Sequence, residues 1–406
     1  MKQKLKDICE GITDGSHNPP SGGSASDFIM ISSKNVFDDC ITYDEPRFLT
    51  EEQFNIENKR TNITSGDILM TIVGTVGRTA VVNSNTRKIT LQRSVAVLHP
   101  NNKICNSRFL MYSLRSKRKY FESEAHGVAQ KGIYLKQLSE IYLNIPEKKR
   151  QNNIVQILDN VCDIIMLRKQ QLQQLDDLIK ARFVEMFGDL RINPRNWKFQ
   201  SIEELTELIT DGEHATPRRV DSGIYLLSAR NVLNHTLQLD DVDYINDKEY
   251  NRIAKRVIPV EGDVLISCSG TVGRCCTVPA GLQFQMVRSV ALLRFKQNII
   301  PKFAEYMVTS DFMQEQINQS KTASSQANLF QGKIAKLKGF SPPIELQEQF
   351  ASFVQQVDKS KFDKIYRERY KGTNRPGAYV LESGHRPRSV VPDREEGGLS
   401  DEWWFF

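Results

Sequence analysis

The sequence predicts an α+β protein: two pseudo-repeated β-rich globular domains separated by a long coiled-coil helix, with a second such helix that starts and is truncated. Three observations predict it. The chain repeats itself at one offset, each copy carries short apolar runs closed by glycine, and an unbroken heptad pattern lies between the copies.

The repeat is the strongest of the three. Ile12-Thr13-Asp14-Gly15 returns as Ile209-Thr210-Asp211-Gly212, and Ser32-Ser33-Lys34-Asn35-Val36 as Ser228-Ala229-Arg230-Asn231-Val232. Gly66-Asp67 returns as Gly262-Asp263, and Gly74-Thr75-Val76-Gly77-Arg78 intact as Gly270-Thr271-Val272-Gly273-Arg274. Arg93-Ser94-Val95-Ala96 returns as Arg288-Ser289-Val290-Ala291. The offsets lie between 195 and 197 and the order is kept. A period that long is no solenoid repeat, so it marks two copies of one domain.

Within a copy, Asp67–Val73, Ala80–Val82 and Ser94–Leu98 are apolar runs bounded by turn residues, which predicts strands. A helical stretch follows at Arg108–Arg115, answered by Lys302–Thr309. The Gly-Thr-Val-Gly-Arg segments sit between two such runs and read as glycine-containing hairpin turns.

Between the copies, Ile154, Leu158, Val161, Ile165, Arg168, Leu172, Leu175, Ile179, Arg182 and Met186 step by fours and threes. No Gly or Pro interrupts the stretch from Gln151 to Phe187, and Gly188 stops it. Some 35 residues make a rod of ~50 Å. Its eight apolar members (Ile154, Leu158, Val161, Ile165, Leu172, Leu175, Ile179 and Met186) are expected to form a packing and docking seam rather than a reactive site. The second copy opens the same helix at Phe353–Asp358, then departs after about Lys361-Phe362. The expected divisions are 1–147, the helix 148–189, 190–343, the start of a second helix at 344–362, and 363–406. That last stretch is rich in Gly, Pro and Arg and is expected to be a disordered tail, frame-shifted or fused.

Composition narrows the class. Lys and Arg number 55 against 49 Asp and Glu, a formal charge of +6 that permits a polyanionic partner without requiring one. No apolar run approaches the ~20 residues of a membrane span, and no apolar core follows the basic first residues, so a cytosolic chain is expected. Seven cysteines without a C-x-x-C pair predict reduced thiols and no zinc site. On a strand, Cys275 and Cys276 should place one thiol in the core and one outward.

Motifs for chemistry are mostly missing. There is no Walker loop and no Gly-rich methyl-donor loop after a strand. Asn18-Pro19-Pro20 resembles a methyltransferase motif, but Ser21 stands where an aromatic ring should stack on a flipped base. His17 and His214 match in position, without a matching nucleophile, and read as turn residues or as polar contacts to DNA or a partner. No catalytic residue and no metal ligand is predicted.

What repeats instead is a basic and amide set: Lys34-Asn35 with Arg230-Asn231, Thr75 and Arg78 with Thr271 and Arg274, Arg93 with Arg288, Gln130 with Gln326. Arg and Lys reach phosphates or guanine edges, and Asn and Gln pair with adenine. His17, His214, Lys131 and Arg218 join the candidates for DNA contact. Equally, such residues can cap loops or bridge the fold. Shared residues cannot tell two half-sites apart, so base reading is expected where the copies differ, at Phe37–Arg60 against Leu233–Arg256 and at Val82–Leu91 against Val278–Met286.

The doubled order of these blocks, with Gln130-Lys131-Gly132-Ile133 answering Gln326-Ala327-Asn328-Leu329 and with Ile145-Pro146 and Pro342-Pro343 opening the helices, resembles the specificity subunit of type I restriction–modification systems. The likeness covers about residues 1–362. It implies two target-recognition domains held apart by antiparallel helices, each reading half of a split, asymmetric double-stranded DNA site. It implies docking of two methyltransferase subunits and of motor–nuclease subunits, with S-adenosylmethionine, ATP and Mg on those partners and no cofactor on this chain. The ~50 Å rod suits about one and a half DNA turns at ~34 Å per turn. The chain departs from the family in its cut second helix, so the central seam is expected to be only partly covered. An orphan or inactive DNA-binding subunit is therefore the alternative. A fused modification enzyme is disfavoured by the missing motifs.

Overall fold

The computed structural model describes residues 1–126, 131–320 and 328–370, with side chains described as far as Lys361. The chain forms two compact units, Met1–Leu167 and a second beginning at Arg168. Each contains one copy of the repeat.

In the first unit the strands Cys9–Asp14, Val95–Pro100, Ile68–Thr71 and Thr79–Val81 form an antiparallel sheet in that order. Beside it, Ile29–Ile31 pairs with Arg47–Phe48 antiparallel and with Ile89–Leu91 parallel. The second unit repeats the design with Thr206–Asp211, Val290–Phe295, Val264–Ser267 and Cys275–Thr277. There Ile224–Leu227 lies between Asp243–Ile245 and Phe284–Met286.

These strands are short and almost continuously apolar because the sheet is covered on both faces. Ile68, Met70, Ala96 and Leu98 face a cluster with Phe109, Leu110 and Leu114 of the helix Ser107–Ser116. Their neighbours Leu69, Val95 and Val97 face the other way, onto Ile29, Ile31, Ile89 and Leu91. The same layering corrects the expectation for Cys275 and Cys276. Both are buried, Cys275 among the residues around Phe303 and Cys276 among those around Phe284. Alternation sends the thiols to opposite faces, but neither face meets water. Burial pushes the Cys276 and Cys268 thiols up to about 12, so they stay protonated.

The central helix runs from Lys148 to Phe187, 40 residues or about 60 Å. Gly188 (φ +81°) ends it, its N–H donating to Val184 O at 2.7 Å. The two units divide within this helix, at Leu167/Arg168. Val155 is buried in the first core, whereas Ile179, Phe183, Met186 and Phe187 are buried in the second. Phe187 lies 5.0 Å from Phe303 and 5.7 Å from Phe350, ring to ring. The expected seam is therefore not uniform. Ile154, Leu158, Leu172 and Leu175 are half-buried, Ile179 and Met186 are core, and Val161 and Ile165 are exposed.

The second long helix spans Ile344–Tyr370, eight residues past the expected end at 362. Local sequence keeps helix propensity there although the heptad stops. The stretch from 371 to 406 lies outside the described residues. Phe350 packs on Phe183 (5.4 Å), while Lys361 reaches Asp176 (2.7 Å), so this helix runs antiparallel to the part of the central helix in its unit.

Each long helix is locked to its domain by one fully buried glutamine. Gln151 Nε2 donates to Ile104 O (3.0 Å) and Pro146 O (2.8 Å), and its Oε1 accepts from Asn106 N (2.8 Å). Gln347 does the same with Asn298 O (3.0 Å), Pro342 O (2.8 Å) and Ile300 N (2.8 Å). The repeated Gly-Asp also has a structural reason. Asp67 accepts from Thr64 N (2.6 Å) and pairs with His99 Nδ1 (2.9 Å), while Asp263 accepts from Val260 N (2.8 Å) and pairs with Arg294 (2.8 Å).

Two predictions follow from these contacts. Gln347→Leu strands Ile300 N–H and two carbonyls, each costing about 1–3 kcal/mol. Denaturant unfolding should show a loss of at least about 3 kcal/mol, whereas Gln355→Leu, on the exposed face, should leave the midpoint in place. The hydrogen bond to Asp67 raises the pKa of His99 above its ordinary value. A raised folded pKa means the pair stabilises fully below the unfolded value of about 6.5 and is lost as pH rises through the folded value. Hydrogen exchange of residues 95–99 should accelerate, relative to the intrinsic rate, as pH rises above about 6.5. His99→Arg, which installs the second copy's partner, should remove that dependence.

Candidate nucleic-acid interface

The candidate site grows from the end of the first strand of each large sheet. Cys9–Asp14 and Thr206–Asp211 both end in aspartate, and the next residue is glycine because nothing larger fits. A Cβ on Gly15 would lie 2.1 Å from Leu91 O, and one on Gly212 2.3 Å from Met286 O. The turn can thus run against the neighbouring strand, with Ser16 N donating to Leu91 O (2.7 Å) and Glu213 N to Met286 O (2.8 Å). Arg93 N then donates to Ser16 O (2.9 Å), and Arg288 N to Glu213 O (3.0 Å). In each copy this places His17 or His214 on the same edge as Arg93 or Arg288. All four side chains are exposed.

The aspartate organises that edge. His17 Nε2 lies 2.9 Å from Asp14 Oδ2, and Arg60 donates through Nη2 to the carboxylate and through Nε to Asp14 O (3.0 Å). In the second copy His214 lies 2.8 Å from Asp211, and Arg256 pairs with the same carboxylate. Arg60 and Arg256 were not among the predicted candidates. Their signal was present: both close segments that otherwise diverge, at the common offset of 196.

The Gly-Thr-Val-Gly-Arg segments are hairpin turns, as expected. Gly77 N donates to Thr71 O (2.9 Å) and Gly273 N to Ser267 O (2.9 Å). Both glycines have φ near +90°, a region that other residues rarely adopt. Val76 and Val272 are buried and anchor the loop, which leaves Thr75 and Thr271 exposed at its tip. A helix side chain steadies it from behind, Arg118 donating to Gly77 O (3.1 Å) and Gln314 to Gly273 O (3.0 Å). Arg78 lies over the ring of Phe37 at 4.9 Å.

The predicted amides play a different part from the predicted cations. Asn35 and Asn231 are buried. Asn35 accepts from Ser32 N (3.1 Å) and donates to Asp44 O (2.9 Å). Asn231 accepts from Ser228 N and donates to Gln238 O and Asp241 O, each at 2.9 Å. With their hydrogen-bonding capacity spent on the backbone, they hold the loop that presents Lys34 and Arg230. They are withdrawn as base-reading candidates.

In the second copy the remaining candidates converge. Arg230, Thr271 and Arg274 line a depression of about 540 Å³ with Ser228, Ser269 and Ser289. Ser269 and Ser289 also line an adjoining one of about 450 Å³ with Asp211, His214, Arg288, Asn328 and Phe330. Arg230 pairs with Asp243 (3.0 Å), whereas Arg274 and Arg288 have no carboxylate partner among the described residues. The first copy has the same frame: Ser33 N donates to Ser94 Oγ (3.1 Å) as Ala229 N does to Ser289 Oγ (3.0 Å). Lys131 is exposed, and its carbonyl accepts from Gly74 N (2.9 Å) beside the hairpin. Arg218 is exposed but lines neither depression. Gln130 and Gln326 lie outside the described residues. Among the described residues no group of three or more His, Cys, Asp or Glu is placed to hold a metal, and no helix is long and apolar enough to cross a membrane.

A family described as the type I restriction modification DNA specificity domain matches the chain twice, over residues 3–177 and 194–368. The chain is 19% identical over 325 residues to the type I restriction enzyme MjaVIII specificity subunit of Methanocaldococcus jannaschii, covering 75% of each. It is 29% identical over 156 residues to the type I restriction enzyme EcoBI specificity subunit of Escherichia coli, covering 38% of this chain and 31% of that one. A solved type I restriction-modification S subunit from M. genitalium aligns over 91% of both chains at 12% identity, with a TM-score of 0.47.

The contrast between amides and cations is measurable. Asn231→Ala should lower stability by about 1–3 kcal/mol in a denaturant titration, because it orphans buried backbone groups. Arg230→Ala should stay within about 0.5 kcal/mol of the parent, as an exposed surface change does. Equal losses at both positions would contradict the division.

Proposed function

The chain belongs to the type I restriction–modification DNA specificity family, as a non-catalytic specificity subunit that recognises DNA sequence, and from that premise we propose how it does so. Each repeat reads one half of a bipartite, asymmetric double-stranded site, and the long helices scaffold the methyltransferase and restriction subunits. The observation that carries this reading is the shared edge. In both copies exposed Arg93 or Arg288 stands beside the histidine held by Asp14 or Asp211, on a frame whose bordering segments differ. Cations common to both copies suit phosphates, which fix register on any duplex, and the differing segments suit bases.

Several apolar side chains of the central helix support a partner role for it. Ile157, Val161, Ile164 and Ile165 stand at i, i+4, i+7 and i+8, share one helix face and are each 45–61% exposed. Such a face suits docking of another subunit. S-adenosylmethionine, ATP and Mg belong on those partners in this reading.

The test is co-expression with the modification subunit encoded beside this chain, purification of the complex, and mapping of methylated adenines in a DNA library. A stable complex that methylates adenine in a split motif is the expected result. Failure both to form a complex and to bind DNA sequence-selectively would overturn the proposal. In the same complex, Arg93→Ala and Arg288→Ala should each reduce the salt dependence of DNA binding by about one phosphate contact.

A further inference from the structure

Tyr134 and Phe330 occupy the same place in the two copies, one residue beyond the block that the sequence comparison matched. Each follows a buried residue that ties the segment to the large sheet. Ile133 N donates to Ile72 O (2.9 Å), and Leu329 N to Cys268 O (2.9 Å). Each precedes a short helix, Leu135–Ser139 or Gln331–Lys336. Between these anchors the rings point outward, 68% exposed for Tyr134 and 59% for Phe330. Among the described residues neither ring stacks on another ring or on a cation, and these are the two most exposed aromatic side chains. An exposed ring on a rigid seat, kept in both copies, does nothing for either core.

Its surroundings say what it meets. Phe330 lines the same depression as His214 and Arg288. In the first copy, the segment leading to Tyr134 includes exposed Lys131, whose carbonyl holds the hairpin glycine Gly74. Arg288 and Lys131 have no carboxylate partner among the described residues, so one uncompensated cation stands on the rim of the Phe330 depression, which Asp211 also lines, and another lies three residues before Tyr134. Such cations favour a polyanion over a protein surface. We propose that Tyr134 and Phe330 are the apolar DNA contacts of the two repeats, one for each half-site. Each ring packs on a base or sugar edge while the adjacent cation holds a phosphate. This assignment rests on the DNA-reading function proposed above and adds to it a contribution that salt does not screen.

The test uses the full chain in complex with its modification subunit and an end-labelled duplex pool with a randomised core, with binding followed by anisotropy across a salt series. Tyr134→Ala and Phe330→Ala should each weaken binding about tenfold, the loss expected for one aromatic contact. The slope of log affinity against log salt should not change, because no phosphate contact is removed. Phe330→Tyr, which keeps the ring, should restore affinity. Arg288→Ala is the contrasting variant, because it should lower the slope. If Arg288→Ala weakens binding while both aromatic variants bind like the parent, the ring assignment fails and the DNA-reading function stands. If the aromatic variants keep DNA affinity but shed the modification subunit, the rings dock a protein and the assignment is overturned. If the parent complex itself does not bind the pool, both readings fail together.

Discussion

The placement of everything else depends on two buried amides. Gln151 and Gln347 each fix the first turn of a long helix to the loop that precedes its own domain's short helix, with three hydrogen bonds inside the fold. A glutamine has enough donors and acceptors to satisfy two carbonyls and one N–H at once, and few side chains of that length could do so. Buried and satisfied, such a group specifies geometry more than it adds stability, since a shifted helix would strand several polar atoms. The direction in which each helix leaves its domain is set there. Any interval between features at the ends of a helix inherits that setting.

Around this joint the two copies use different polar chemistry. In the first, Arg108 bridges Asp39 (2.9 Å) and Asp159 (2.6 Å), and Tyr112 donates to the same Asp159 (2.6 Å). Burial would raise the Asp159 carboxyl, but the bonds from Arg108 and Tyr112 outweigh it and hold it below its ordinary value. In the second, the fully buried Glu305 takes the central place. It accepts from Thr277 N (2.6 Å) and pairs with His235 (2.7 Å) and Lys302 (3.1 Å). Burial opposes its charge, yet the bond from His235 and the charge of Lys302 keep it low. A lone carboxylate at that depth would be costly, and three partners make it tolerable. Backbone geometry is shared where side-chain identity is not, since Asp39 and His235 both adopt positive φ (59° and 66°).

The repeat made most of the frame legible before any coordinates. Apolar runs that match across copies became the paired strands, and Gly188 ended the helix where a stop was expected. What failed did so for a common reason: sequence shows which residues recur, not whether they recur for the frame or for the surface. Asn35 and Asn231 looked like adenine readers because amides suit adenine, yet amides suit backbone groups in a loop equally well. One of Cys275 and Cys276 was expected to face outward because one covered face was assumed for their strand. Arg60 and Arg256 were hidden because they sit at the ends of segments that otherwise differ strongly. The length of the second helix was misjudged because a lost heptad ends a seam, not a helix.

In the proposed function, the same distinction lets one scaffold be written twice and still read two different sequences. Recurrent residues divide into those with saturated hydrogen bonds, such as Asn231 and Gln347, and those that reach solvent on rigid seats, such as Arg288 and Phe330. The first group cannot change without cost to the fold, and at Gln151 and Gln347 the three hydrogen-bond lengths are the same in both copies, 3.0, 2.8 and 2.8 Å. The second group can contact any duplex, because phosphates and sugars are the same in every sequence. On that proposal, discrimination falls to segments such as Phe37–Arg60 and Leu233–Arg256, whose ends are pinned by Asp14 and Asp211. A variable segment fixed at its end by a shared ion pair can change its side chains without moving the proposed phosphate contacts beside it.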